Sequence, residues 1–210
     1  MFASQPPARF PAVVALAFAC ALFAAACSAD APPAESDTLT AAAAQDEFWN
    51  ELHSMCGRAY AGRLTTGGPT DTDLDTAELR MHVRECSDDT LRIPFHVGVD
   101  HSRTWVLTRT ASGLRLKHDH RHEDGSEDSI TQYGGDTRDA GSANRQEFYA
   151  DSLTAALIPA ARTNVWTMEV VPDSMFAYAL RREGTDRRVR VEFDLRDTIQ
   201  APPPPWGSTP

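Results

Sequence analysis

From Leu79 onward the apolar residues fall at every second position. Leu79, Met81 and Val83 alternate with Arg80, His82 and Arg84. Ile93, Phe95, Val97 and Val99 alternate with Arg92, Pro94, His96 and Gly98. Trp105 and Leu107 follow, then Leu114 and Leu116, then Trp166, Met168 and Val170. The last runs are Phe176, Tyr178, Leu180 and Val189, Val191, Phe193, the latter set against Arg188, Arg190, Glu192 and Asp194. A period of two with one polar face is the signature of half-buried antiparallel strands. Turn signals punctuate the runs at Ala111-Ser112-Gly113, Asp124-Gly125, Gly134-Gly135, Pro172-Asp173 and Gly184-Thr185-Asp186. The pattern predicts a mainly β domain of roughly eight to ten short strands, an antiparallel meander closed into a barrel or, alternatively, folded as a sandwich.

One segment departs from this period. Asp46–His53 puts Phe48, Trp49 and Leu52 on one helical face, with Asp46 placed to cap the start. A short N-terminal helix leading into a meander looks broadly like the lipocalin-type barrel. That resemblance is architectural and implies no particular function.

The chain ends read differently from the middle. Arg9 precedes an uncharged apolar run, Pro11–Ala26, that is shorter than the roughly 20 residues a membrane span needs. Leu22-Phe23-Ala24-Ala25-Ala26-Cys27-Ser28 resembles the lipobox of bacterial lipoproteins, with Ala24 where that family prefers leucine. The resemblance implies cleavage before Cys27 and acylation of its thiol; the competing reading is a plain secretory signal. Ser28 resembles the outer-membrane sorting pattern. Residues 1–26 are therefore expected to be a lipoprotein signal peptide, and 27–45, rich in Ala, Pro, Ser, Thr and acids, a flexible tether. Residues 46–200 form the globular domain. Residues 201–210 form a proline-rich tail, either solvated or strapped to the domain through Trp206.

Length and charge narrow the function classes. With 210 residues there is room for one domain, and a net charge of −10 excludes a dedicated nucleic-acid surface. Acyl chains on Cys27, rather than a basic patch, would hold such a chain to a membrane. Of the four cysteines, Cys20 leaves with the signal and Cys27 takes lipid. Cys56 and Cys86 remain. In an oxidising compartment a disulfide is their default, against metal ligation or free thiols.

The densest chemistry lies in Lys117–Asp128, which reads KHDHRHEDGSED. With Asp124-Gly125 at the centre of a tight turn, His122 would pair with Glu127, His118 with Thr131 and Leu116 with Tyr133. His118, His120, His122 and Glu127 would then share a face. Histidines two apart on a strand lie about 7 Å from each other, so His120 and His122 with Glu127, or His118 and His120 with a ligand from elsewhere, could hold zinc. An open coordination position would allow hydrolysis. The competing readings are a solvated polar rim and a pH-responsive cluster. A cupin-like motif fails, because no histidine follows His122. No nucleophile or phosphate-loop motif is present, so no catalytic residue is assigned. Arg181, Arg182, Arg187, Arg188 and Arg190 form either an anion-binding group or a solvated, ion-paired face. Trp105, Trp166 and Tyr178 either pack the core or line a ligand cavity.

The stretches His118–Gly125, Gln132-Tyr133-Gly134-Gly135 and Val191–Leu195 resemble a group of uncharacterised bacterial secreted or lipid-anchored proteins. The resemblance implies an exported β-rich domain and carries no activity. The expectation is a periplasm-facing lipoprotein that binds a small ligand or a protein partner. The alternatives are a metal-binding protein or metal-dependent hydrolase, and a structural or envelope-assembly lipoprotein.

Overall fold

The alternating segments pair in near-sequential order around a closed antiparallel barrel. A computed structural model describes residues 35–208. The elements are α1 (Glu35–Ser54), β1 (Ala59–Thr66), α2 (Thr72–Thr76), β2 (Leu79–His82), β3 (Glu85–Cys86), β4 (Thr90–Val97), β5 (Asp100–Thr110), β6 (Gly113–His120), β7 (Tyr133–Asp136), β8 (Arg145–Ala150), α3 (Ser152–Leu157), β9 (Asn164–Val171), β10 (Met175–Arg182) and β11 (Arg188–Asp194). Strands β4 to β11 each pair with the next. Closure comes from β1, which pairs with both β11 and β2, and from β2, which pairs with β4. The short β3 continues beside β4, so ten strands close the lipocalin-like barrel.

Strand parity sorts the side chains. Leu91, Ile93, Phe95 and Val97 of β4 face the core, as do Leu79 and Met81 of β2 and Val191 and Phe193 of β11. Full burial of one such side chain is worth about 1.5–3 kcal/mol, so the repeated inward set supplies most of the drive to close the sheet.

Helix α1 begins at Glu35 rather than at Asp46, and Asp46 is an interior helical residue that pairs with Arg109 instead of capping. The run Ala41–Ala44 has the highest intrinsic helix propensity, which carries the helix backward into the segment read as tether. Phe48, Trp49, Leu52 and Met55 are buried against the barrel core. This face meets the end of the barrel where Gln45 donates to Thr137 Oγ1 at 3.2 Å and Arg109 lies over the Trp49 ring. That end is thereby plugged. Two further short helices, α2 and α3, were not expected from the sequence. α3 is capped by Asp151, whose carboxylate accepts from the Thr154 amide at 2.8 Å.

Several local expectations change. Gly134-Gly135 is not a turn but the middle of β7. A Cβ at Gly134 would sit 2.0 Å from the Leu116 carbonyl oxygen, and one at Gly135 would sit 1.6 Å from that of Tyr149. The glycines let β7 lie closer to both neighbours than any side chain permits. Val99 is 92 % exposed, because β4 ends at Val97 and the chain turns through Gly98 at φ +61°. Strand β5 opens directly afterwards, at Asp100.

Cys56 and Cys86 are disulfide-bonded with their Cα atoms 6.3 Å apart. The bond ties the turn after α1 to β3. The proline-rich tail is a strap. Ile199 bridges Ala59 at its start, and the Trp206 amide donates to the His101 carbonyl at 3.1 Å near its end. Among the described residues no helix is long and apolar enough to cross a membrane.

Candidate ligand site at the barrel mouth

At the end opposite α1 the core gives way to polar residues. Parity along β6 aims Leu114, Leu116, His118 and His120 inward, so the apolar pattern turns to histidine as the strand approaches the mouth. On β5, Trp105 is opposite His118, and Arg103 is opposite His120. On β7, Tyr133 is opposite His118. These rings stack. His118 and Tyr133 are nearly parallel at 4.5 Å, Trp105 and Tyr178 are stacked at 4.4 Å, and Phe95 stacks on Trp105 at 4.8 Å.

Beside them is a half-open cavity of about 150 Å³. Trp105, Tyr178, His118 and Tyr133 form its wall, with Phe95 and Leu180 at its apolar side. Its rim carries His120, Arg103 and the ion pair of Asp71 with Arg187, which joins the segment before α2 to the β10–β11 hairpin. Leu74 of α2 also touches the cavity.

The polar atoms of this wall are fixed. His118 Nδ1 lies 3.1 Å from the Tyr133 carbonyl oxygen and Nε2 lies 2.7 Å from the Tyr178 hydroxyl. A carbonyl only accepts, so Nδ1 carries the proton and Nε2 accepts from Tyr178. Burial pushes the His118 pKa down to about 3, against a smaller upward pull from the Tyr133 carbonyl. Burial likewise lowers that of His120, with Arg103 adding to the effect, and raises Tyr133 to about 12. The Tyr178 hydroxyl is pushed well above its ordinary range by the same cause. The site therefore stays electrically neutral at physiological pH, apart from the paired charges at its rim. It offers ring faces, the oriented hydroxyls of Tyr178 and Tyr133, and the His120 imidazole, whose Nε2 lies 3.1 Å from the Tyr133 hydroxyl.

The structure separates the residues grouped as a metal set. His118 is buried with both ring nitrogens engaged, and His120 is bonded to Tyr133. His122 is exposed, and Glu127 is exposed and paired with Arg121. Among the described residues no group of three or more histidines, cysteines or carboxylates could hold a metal ion. The cause is register. Leu116 pairs with Gly135 and His118 with Tyr133, two residues further along than the tight turn predicts. The Gly125 amide donates to the His122 carbonyl, so Glu123-Asp124 occupy the turn centre and Gly125 takes the φ +85° position after it. Glu127 then faces Arg121 across an isolated bridge, not His122.

Trp105 and Tyr178 line the cavity, while Trp166 packs behind it, 5.2 Å from His118. The arginine group is ion-paired or hydrogen-bonded. Arg181 meets Glu147 and Glu183, Arg190 meets Glu169 and Glu192, and Arg182 donates to Asn164 Oδ1. Arg188 donates to backbone carbonyls. The residue the pattern left unremarked is Arg103. Its signal was its parity with Trp105: a charge on the inward register of a strand marks where the core ends. Cys27 lies outside the described residues. No family model, curated protein or solved structure matches the chain.

Proposed function

We propose that this chain is an exported lipoprotein whose barrel binds a small planar ligand at its mouth. Cleavage before Cys27 and acylation of its thiol would tether the domain to the bacterial envelope, most simply the outer membrane facing the periplasm. The observation that carries the binding reading is the half-open cavity of about 150 Å³ walled by Trp105, Tyr178, His118 and Tyr133. A cavity of that order accommodates a single benzene-sized ring. It is smaller than the roughly 300 Å³ at which drug-sized pockets begin. The ligand class is accordingly a single aromatic or heteroaromatic ring, stacked on the wall. A hydrogen-bonding substituent would reach the His120–Tyr133 pair or Arg103. Among the described residues no serine, threonine or cysteine lines the cavity to act as a nucleophile beside His120, so the reading is binding.

The test uses phenol, benzoate and indole as probes, followed by amide and imidazole NMR shifts of the purified chain. A saturable shift centred on His120, Tyr133 and Tyr178, lost in Leu180→Phe because the added ring occupies the cavity, is the expected result. If none of the probes saturates at these residues, or Leu180→Phe responds like the wild type, the binding reading fails. The tightly packed remainder of the barrel would then favour an envelope-assembly role exerted through the outer surface. The anchor is tested separately by the mass of the N-terminal peptide: an unacylated Cys27 would refute it.

A further inference from the structure

The outer face of the barrel holds a second histidine arrangement, apart from the mouth. His96 of β4 points outward by parity, opposite Arg80 of β2, yet is only 1 % exposed. Among the described residues neither of its ring nitrogens has a hydrogen-bond partner. Its ring is stacked on that of His101 at 4.1 Å with planes 13° apart. A buried unpaired polar ring on the outside of a barrel needs a cover. The strap touches both neighbours of His96, Arg80 on β2 and His101 on β5. It leaves β1 at Ile199, runs past Glu78 and Arg80 with Pro202 and Pro203, and reaches β5 where Trp206 meets His101. His96, on β4, lies between β2 and β5 on that path. Pro205 is buried, and Gly207 lies against Gly125 of the hairpin tip.

We infer that the C-terminal strap is an acid-releasable clasp, closed over His96 while its imidazole is neutral and displaced when that imidazole takes a proton. Covering the neutral ring leaves two nitrogens unpaired, a cost that stacking on His101 offsets in part and that is smaller than the cost of covering the charged ring. An imidazolium in the same place has no acceptor and must leave or be hydrated. The surrounding charges reinforce the preference. Desolvation is the largest cause that pushes the His96 pKa down, to about 4, followed by His101, then Arg80 and His82 of β2. Asp100 of β5 opposes them weakly. The strap, Ala201–Ser208, brings no titratable side chain.

The sign follows from linkage. Lifting the strap relieves the desolvation, so His96 then titrates closer to the ordinary 6.5, with His101, Arg80 and His82 still pulling it down, against about 4 when covered. Above 6.5 the closed form is unpenalised. Below the lifted-strap value, the ratio of closed to lifted strap falls by roughly tenfold for each pH unit until about pH 4, where the effect levels off.

The experiment is fluorine NMR of the full chain carrying 5-fluorotryptophan, with the Trp206 signal assigned by its loss in Trp206→Phe. On acidification from pH 7.5 to 4 the Trp206 resonance should move to a solvent-exposed position. Those of Trp49, Trp105 and Trp166 should hold. His96→Phe, which keeps a stacked ring and removes the proton site, should keep Trp206 in place down to pH 4. In Trp206→Ala the His96 imidazole should titrate closer to 6.5 than in the wild type. The inference is overturned if wild-type Trp206 stays in place at pH 4, if all four signals move together, or if His96→Phe releases at the wild-type pH. Should His96→Phe not fold, the wild-type His96 imidazole decides: it must titrate with the movement of Trp206, and titration without it refutes the clasp.

Discussion

The His118–Tyr178 pair invites a test of how a buried polar bridge inside an apolar barrel is held. His118 is 3 % exposed and its Nε2 has one partner, the Tyr178 hydroxyl at 2.7 Å. Tyr178→Phe removes that donor and leaves the nitrogen buried and unsatisfied, at a cost of about 1–3 kcal/mol. His118→Phe leaves the Tyr178 hydroxyl and the Tyr133 carbonyl without the ring and should cost a similar amount. The double variant removes donor and acceptor of that bridge together and leaves only the Tyr133 carbonyl without its imidazole partner. The double variant should therefore be more stable than the sum of the single losses by at least about 1 kcal/mol. Urea unfolding at pH 7, with the disulfide intact, measures all four corners of the cycle. The same set carries a pH signature. A histidine held at about 3 when folded and 6.5 when exposed disfavours the folded state as pH drops below 6.5. Its contribution approaches about 1.4 kcal/mol per pH unit. His118→Phe should flatten the loss of stability between pH 6.5 and 4.5 relative to wild type. Strictly additive single losses, or a His118→Phe slope equal to that of wild type, would refute the view that this neutral bridge is what organises the mouth.

Two further predictions concern the frame. Replacing Cys56 and Cys86 together by alanine, or reducing their bond, opens a loop with a sequence separation of 30. The loss should be about 3 kcal/mol by calorimetry or denaturant titration, with the far-ultraviolet β signal retained in the absence of denaturant. A loss under about 1 kcal/mol would show that the α1–β3 contact holds without it. Gly135→Ala places a methyl group against backbone, 1.6 Å from the Tyr149 oxygen, and must push β7 from β8. It should cost upwards of about 3 kcal/mol or prevent folding. Gly184→Ala, whose Cβ meets open space and suffers only from φ +73°, should cost about 1 kcal/mol. Equal costs at the two sites would contradict the close-approach explanation.

Much of the barrel was legible because strand parity is a local property. Hydrophobic alternation assigned Phe95, Trp105, Leu116, Met168 and Phe193 to the interior without knowledge of any partner strand. The strands it missed are those whose pattern is broken. In β1, Gly62 stands at an inward position where a Cβ would strike the Phe193 ring, so the site cannot show an apolar residue. In β7, paired glycines resemble a turn because both uses of glycine exploit the same missing Cβ. The helix boundary was missed because α1 extends through alanines that carry no amphipathic signal.

The sequence by itself determined the class of fold, the inward and outward sets of each strand, and the pair of cysteines free to bond. It also placed His118, His120 and Tyr133 on one face, since a register shift of two residues preserves every face. For the same reason, alternation could not reveal that shift. Only tertiary pairing decided that Tyr133, rather than Thr131, stands beside His118, and that His122 and Glu127 are carried out into solvent. Burial is likewise a tertiary quantity. Alternation set His96 among the polar partners of an apolar run and grouped His122 with His118 and His120, yet His96 is buried and His122 exposed. The strap likewise joins Ala59 of β1 to His101 of β5, contacts between distant segments that no local pattern records.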